Sequence, residues 1–154
     1  SLYANGRNLV RRLRPEVLEL MGLQGAIEEM LRVYNDAQND CHFSLNAADD
    51  FTHLNKDLAL SIYRIVQEAS SNVLKHAQAT QVEIQLSLQK QEAGKERLYL
   101  SIRDNGKGFD TTQTATGLGI TGMRERVLVL NGEFDLQSQI GVGTEIAIWV
   151  PLGE

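Results

Sequence analysis

Hydrophobic positions recur along this chain with two periods, and the switch between them marks its elements. Between 16 and 40 the apolar residues Val17, Leu18, Met21, Leu23, Ile27, Met30, Leu31 and Tyr34 return every three or four positions. That spacing predicts an amphipathic helix opening after Pro15, with Gly22 and Gly25 as weak points in its continuity. Cys41, Phe43 and Leu45 then alternate with polar neighbours and predict a short strand before the polar turn at Ala48, Asp49 and Asp50. From 55 to 77, Leu58, Ile62, Ile65, Val66, Ala69 and Val73 share one side of a long predicted helix, with Asn55 as its cap.

Beyond this helix the period falls to two. Val82, Ile84, Leu86 and Leu88, then Leu98, Leu100 and Ile102, alternate with polar residues around a turn containing Gly94, so a β-hairpin is expected. Residues 105–119 carry little apolar content and are rich in Gly and Thr, a long connection of the kind small domains keep for function. A helix over 120–130 follows, closed by Asn131 and Gly132. A second hairpin joins Phe134 and Leu136 to Ile146, Ile148 and Val150 across the turn from Gly141 to Gly143. Upstream, Leu9, Val10 and Leu13 lie among arginines and predict the last turns of another helix, ended by Pro15. The order of elements predicts an α+β fold, a two-layer α/β sandwich with helices packed on one face of a mixed sheet.

Composition narrows the possibilities. At 154 residues the chain suits a single core. Its 15 Lys and Arg against 20 Asp and Glu give a net charge of −5, which removes the phosphate attraction on which nucleic-acid binders rely. The longest apolar runs, at 127–130 and 146–150, fall far short of the ~18 residues a membrane helix needs. The single cysteine, Cys41, can form neither an internal disulfide nor a thiolate cage, which fits a cytoplasmic setting. No basic-then-apolar leader is visible and Ser1 does not resemble a natural start, so the chain is expected to be part of a longer protein.

Three segments carry candidate chemistry. At ~100° per residue, Arg64, Glu68, Asn72 and Lys75 fall on one face of the long helix with His76 nearby. Such a face can be a solvated surface with helix-stabilising pairs, or it can offer Glu68 as a base and Asn72 as a hard oxygen ligand for Mg²⁺. The second segment is Asp104-Asn105-Gly106-Lys107-Gly108-Phe109, where an Asp leaving a strand beside two glycines could accept a hydrogen bond from a purine amino group. The third, Gly117-Leu118-Gly119-Ile120-Thr121-Gly122, formally satisfies G-x-G-x-x-G. No strand precedes it, so a Rossmann site is rejected, but glycine-rich backbone entering a helix still presents N–H groups to phosphate. No Walker motif competes for that role.

Together the segments resemble the N, G1 and G2 boxes of the ATPase superfamily that joins DNA gyrase, the Hsp90 chaperones, sensor histidine kinases and the MutL proteins. The N box reads from Arg64 to Ala77, with Glu68 four residues before Asn72 and then Lys75-His76-Ala77. With Gly122-Met123-Arg124-Glu125-Arg126-Val127 and Leu13-Arg14-Pro15, it is similar to sensor kinases of the nitrate and sugar-phosphate sensing group. Ser70 departs from that family, which usually carries a larger apolar residue there.

The resemblance implies the Bergerat ATP-binding fold over 15–154, with 1–14 as the tail of a dimerisation and phosphoacceptor helix. It implies ATP and Mg²⁺ as cofactors. Asp104 matches the acceptor of the adenine amino group, Thr144 a threonine acting through a shared water, and Asn72 the Mg²⁺ ligand. Glu68 matches the acidic residue that polarises the attacking nucleophile, while Lys75 and His76 are phosphate or ribose neighbours. Gly106, Gly108, Gly117, Leu118 and Gly119 match a loop that closes over the nucleotide.

The expected reaction is transfer of the γ-phosphoryl to a histidine on an upstream dimerisation domain, for relay to a response regulator with helix-turn-helix output. The full-length protein would be a homodimer without direct nucleic-acid contact, and the reading allows it an inner-membrane anchor outside this cytoplasmic domain. His42 and His53 lack an acidic successor on a helical pattern and are expected to be surface or structural residues. Two rivals share the boxes. One is an anti-sigma-factor serine kinase and the other a non-catalytic ATP sensor, which would have no need of Glu68.

Overall fold

The computed structural model describes residues 15–112 and 119–153. Helix α1 (Pro15–Ala37) leads to β1 (His42–Ala47), then α2 (Lys56–Asn72) with a π turn at its end (Val73–Ala77). β2 (Gln81–Lys90), β3 (Glu96–Asp104), α3 (Ile120–Val129), β4 (Glu133–Gln139) and β5 (Gly143–Pro151) follow. The strands form a five-stranded sheet in the order β1-β2-β3-β5-β4. β1 runs parallel to β2 and the other neighbours are antiparallel, so the sheet is mixed as expected.

Register turns the period-two pattern into rows. Leu45, Ile84, Ile102, Ile146 and Leu136 lie side by side across all the strands, and Ala47, Leu86, Leu100, Ile148 and Phe134 form the next row. Onto these rows pack Ile27, Met30 and Tyr34 from α1, Ile62, Ile65 and Val66 from α2, and Met123 and Val127 from α3. Each large side chain so buried contributes about 1.5–3 kcal/mol. On the opposite face Gln81, Glu83 and Gln85 are exposed, which leaves the helices on one side.

Local signals hold at most ends. The Asn55 side chain caps α2 by accepting from the N–H groups of Asp57 (2.8 Å) and Leu58 (3.4 Å). Asn131, at φ 59, turns left-handed after α3, and the Gly132 N–H returns to the Val127 carbonyl at 3.0 Å. The first helix is less regular than its pattern. Gly22 has φ 73 and ψ 175, a conformation open to glycine alone, so α1 is two helical pieces joined by a kink. Met21, which the spacing placed on the buried stripe, is consequently 50% exposed.

Two carboxamides bond the chain at the start of β1, one from α1 and one just after it. Asn35 donates to the Phe43 carbonyl at 2.9 Å and accepts its N–H at 2.8 Å, and Gln38 does the same for Cys41 at 2.6 and 2.7 Å. At Phe43 a side chain thus supplies the two bonds that a further strand would make.

Candidate functional site

At one end of the sheet the apolar rows give way to Phe43, Val82, Asp104, Thr144 and Ser138, aligned across the same five strands. Asp104 is only 8% exposed, although it is the last residue of β3. Its Oδ1 accepts the Gly106 N–H at 2.8 Å. Burial raises the carboxyl pKa above the usual carboxylate range, against the lowering effect of the Gly106 and Thr144 backbone N–H groups. An ionised carboxylate only accepts and has about four lone-pair sites, so it can take a further donor from the cavity beside it.

The residues after Asp104 form two anchors. Asn105 accepts the Thr80 and Gln81 N–H groups at 2.9 and 3.0 Å and donates to the Thr80 hydroxyl at 2.8 Å, tying the end of β3 to the start of β2. Gly106 lies so close to the π turn that a Cβ would sit 2.2 Å from the Ala77 carbonyl oxygen. That approach lets the Lys107 N–H bond the same carbonyl at 2.7 Å. The Lys107 carbonyl in turn accepts from Gly141 at 2.7 Å, so the β4–β5 turn grips the segment from the other side.

A cavity of about 260 Å³ opens between this segment and α2. Val73, Ala77, Ile102, Ile120 and Ile146 give it apolar walls, while Asp104, Thr144, Asn72 and His76 supply its polar atoms. Such a pocket suits a flat, mostly apolar ring with an amino group directed at the carboxylate. A more open cavity of about 550 Å³ meets it at Asp104 and Thr144 and runs outward past Gln81, Gln137 and Gln139.

Uniform helical spacing placed Lys75 on one face with Arg64, Glu68 and Asn72. The π turn alters that angle, and His76 lines the cavity while the exposed Lys75 does not. Glu68 is exposed on α2, one turn before the half-buried Asn72. Its carboxylate lies against Gly119, where a Cβ would come within 2.4 Å of Oε1. Gly119 has φ 65 and caps α3, so Glu68 stands at the positive end of that helix. Gly108 lines the cavity, and Gly106 and Gly119 flank it through the contacts just described. Gly117 and Leu118 lie outside the described residues.

His42 and His53 are exposed and do not line the cavity. Sequence reasoning missed Lys107, Phe109 and Ile120 as cavity residues, and Ser138 behind Thr144. For Ser138 a signal existed, since the alternation of Phe134 and Leu136 puts it next on the same face of β4. Ser70 is fully buried, and its hydroxyl has no hydrogen-bond partner among the described residues. No helix among the described residues is long and apolar enough to cross a membrane.

The chain is similar to sensor kinases along nearly all its length. It is 31% identical to the signal transduction histidine-protein kinase/phosphatase DegS of Brevibacillus brevis, over 99% of this chain and 38% of that protein. It is 32% identical to the oxygen sensor histidine kinase NreB of Staphylococcus carnosus, over 95% of this chain and 41% of that one. For the histidine-protein kinase/phosphatase UhpB of Salmonella typhimurium the identity is 33%, over 96% and 29%. The chain therefore spans well under half the length of these relatives.

Among solved structures, the ATP binding domain of PrrB from Mycobacterium tuberculosis has a TM-score of 0.63 at 17% identity, covering 88% of this chain and 95% of that one. The blue-light activated histidine kinase EL346 of Erythrobacter litoralis also gives 0.63, at 22% identity over 84% of this chain and 42% of that one. These likenesses show the shared fold. Residues 57–154 match the family profile described as histidine kinase-, DNA gyrase B- and HSP90-like ATPase, and the chain belongs to that family.

Proposed function

We propose that this domain binds ATP with Mg²⁺ and transfers the γ-phosphoryl to a histidine on a dimerisation domain preceding residue 15, for relay to a response regulator. The observation that carries the reading is the buried Asp104, paired in register with Thr144 in an apolar cavity that Asn72 of α2 and His76 of the π turn also line. Asp104 accepts from the adenine amino group and Thr144 assists through water, while the apolar walls exclude solvent from the ring. The histidine-kinase names of the relatives support histidine as acceptor.

The metal reading passes a chemical test, since Asn72 offers a hard, half-buried oxygen donor at the cavity wall. Among the described residues no three His, Cys, Asp or Glu side chains gather into a cage, so Asn72 would share the ion with nucleotide phosphates. Bound there, Mg²⁺ supplies charge neutralisation for the transferring phosphoryl group. Lys75 and His76 serve the phosphates or ribose. Glu68 orients the incoming imidazole and takes its proton. The glycines at 106, 108 and 119 let backbone approach the nucleotide, and Gly117 and Leu118, outside the described residues, are assigned to the same motif by sequence.

Binding and chemistry separate in two variants tested with a separately made dimerisation domain and radiolabelled ATP. Asn72→Ala should weaken Mg-nucleotide binding and transfer together. Glu68→Gln should keep affinity within a few-fold while slowing transfer by ~10²-fold or more. Transfer undiminished in Glu68→Gln would remove its assigned role, and acid-stable label on a serine would point to the anti-sigma type of kinase. Acid-labile, alkali-stable label on this chain alone would place the acceptor among His42, His53 and His76 instead.

A further inference from the structure

Three glycines around the site are approached closely, and one of them by a different kind of neighbour. A Cβ on Gly106 would sit 2.2 Å from the Ala77 carbonyl oxygen, and one on Gly108 would sit 2.1 Å from that of Gln139. Both would strike backbone, which could yield only by disturbing the anchors that follow Asp104. At Gly119 the neighbour is a side chain. A Cβ there would meet Oε1, Cδ and Cγ of Glu68 at 2.4, 3.0 and 3.2 Å, so the outer half of Glu68 lies along the bare face of Gly119. Glu68 is exposed, and no salt bridge among the described residues holds its carboxylate. An exposed Glu otherwise keeps most of its rotamer freedom. Here the residue that caps α3 forms a wall beside it, and the positive end of that helix favours its charge.

Resting on the reading of Glu68 as the base, we propose that Gly119 is its positioning residue, the missing side chain leaving the slot in which the carboxylate is held for the incoming imidazole. The three glycines then differ in what a substitution would break. At 106 and 108 a Cβ disturbs the backbone that shapes the cavity. At 119 it meets the far end of a flexible side chain, which turns aside at little cost to the fold. The loss falls on the chemistry instead, where a misplacement of about 1 Å can cost 10²-fold in rate. Glycine at 119 thus serves the base as well as the left-handed turn that opens α3.

Transfer from radiolabelled ATP to the separately made dimerisation domain, with kcat and the KM for ATP measured on the whole chain, tests this. Gly119 has φ 65, where most L residues are strained, so the variant is Gly119→Asn, which tolerates that region yet adds a Cβ. It should lower kcat by about 10- to 10²-fold and leave KM within about threefold. In a Glu68→Gln background, where no base is left to misplace, Gly119→Asn should add less than about twofold, because coupled residues are not additive. Glu68→Asp leaves Gly119 untouched and keeps the charge, but draws it back from the slot by one methylene. It too should lower kcat about tenfold or more with KM unchanged. Wild-type kcat in Gly119→Asn or in Glu68→Asp, or a full further loss in the Glu68→Gln background, would overturn the positioning role alone. Transfer undiminished in Glu68→Gln would remove the base reading and the role of Gly119 with it.

Discussion

Two neighbouring rows of one sheet do different work. Leu45, Ile84, Ile102, Ile146 and Leu136 are apolar throughout, whereas the next row toward the end of the sheet runs Phe43, Val82, Asp104, Thr144 and Ser138. Strands, face and pleat are the same. What differs is the chemistry each row brings to the cavity beside the π turn, where Ile102 and Ile146 of the first row form apolar wall and Asp104 and Thr144 of the second supply polar atoms, while Phe43 and Val82 stay in the core. A carboxylate in the first row would be buried without water or donor and would cost several kcal/mol. One row outward, it keeps the Gly106 N–H and faces open space. The comparison teaches that a site can be made by extending a core pattern by one row and changing its chemistry.

Breaking the apolar row should have the largest effect. Ile84 is 1% exposed and does not line the ring cavity, so Ile84→Ala should cost about 2–5 kcal/mol in denaturant unfolding. Folded Ile84→Ala should still bind ATP with nearly wild-type affinity. A selective loss of affinity would join the two rows functionally.

The polar row should respond the other way. Asp104→Asn keeps an oxygen for the Gly106 N–H but replaces charge with a group that also donates, so ATP affinity should fall by about 10²-fold. The empty domain should gain stability at neutral pH. Its raised pKa means that folded protein holds a proton longer than unfolded protein does. Wild-type stability therefore falls as pH rises from the ordinary 3.8 through the raised value, and Asp104→Asn should lack that fall. Melting curves across the acidic range would show it, and parallel profiles for the two proteins would refute the burial account.

The smallest effect concerns a buried polar group that belongs to neither row. Ser70→Ala removes a hydroxyl without a partner among the described residues, and should be neutral or stabilising by up to about 1 kcal/mol with ATP affinity unchanged. Clear destabilisation would mean that Ser70 bonds to something the described residues do not include.

Much of this was legible because it is local. The period of two in β2, β3 and β5, the Asn55 cap and the left-handed stop at Asn131 each depend on a few adjacent residues. Asp104 stood out as an acidic residue ending an apolar alternation. Lys75 and His76 were harder, since a bonding pattern that widens one helical turn leaves no trace in hydrophobic spacing. Met21 was misplaced for a similar reason, as a single glycine torsion rotates everything before it.

By itself the sequence determined which segments are helices and strands, which side of each is apolar, and which residues have the chemistry to meet a nucleotide. Those properties follow from periodicity and side-chain type, both readable within a dozen residues. Only the tertiary structure decided that Asn72, Asp104 and Thr144, on three separate elements, border one cavity, and that Ser138 stands behind Thr144. Strand order and register set those meetings. They arise from pairing between distant segments, where a shift by one residue would turn Asp104 to the opposite face of the sheet.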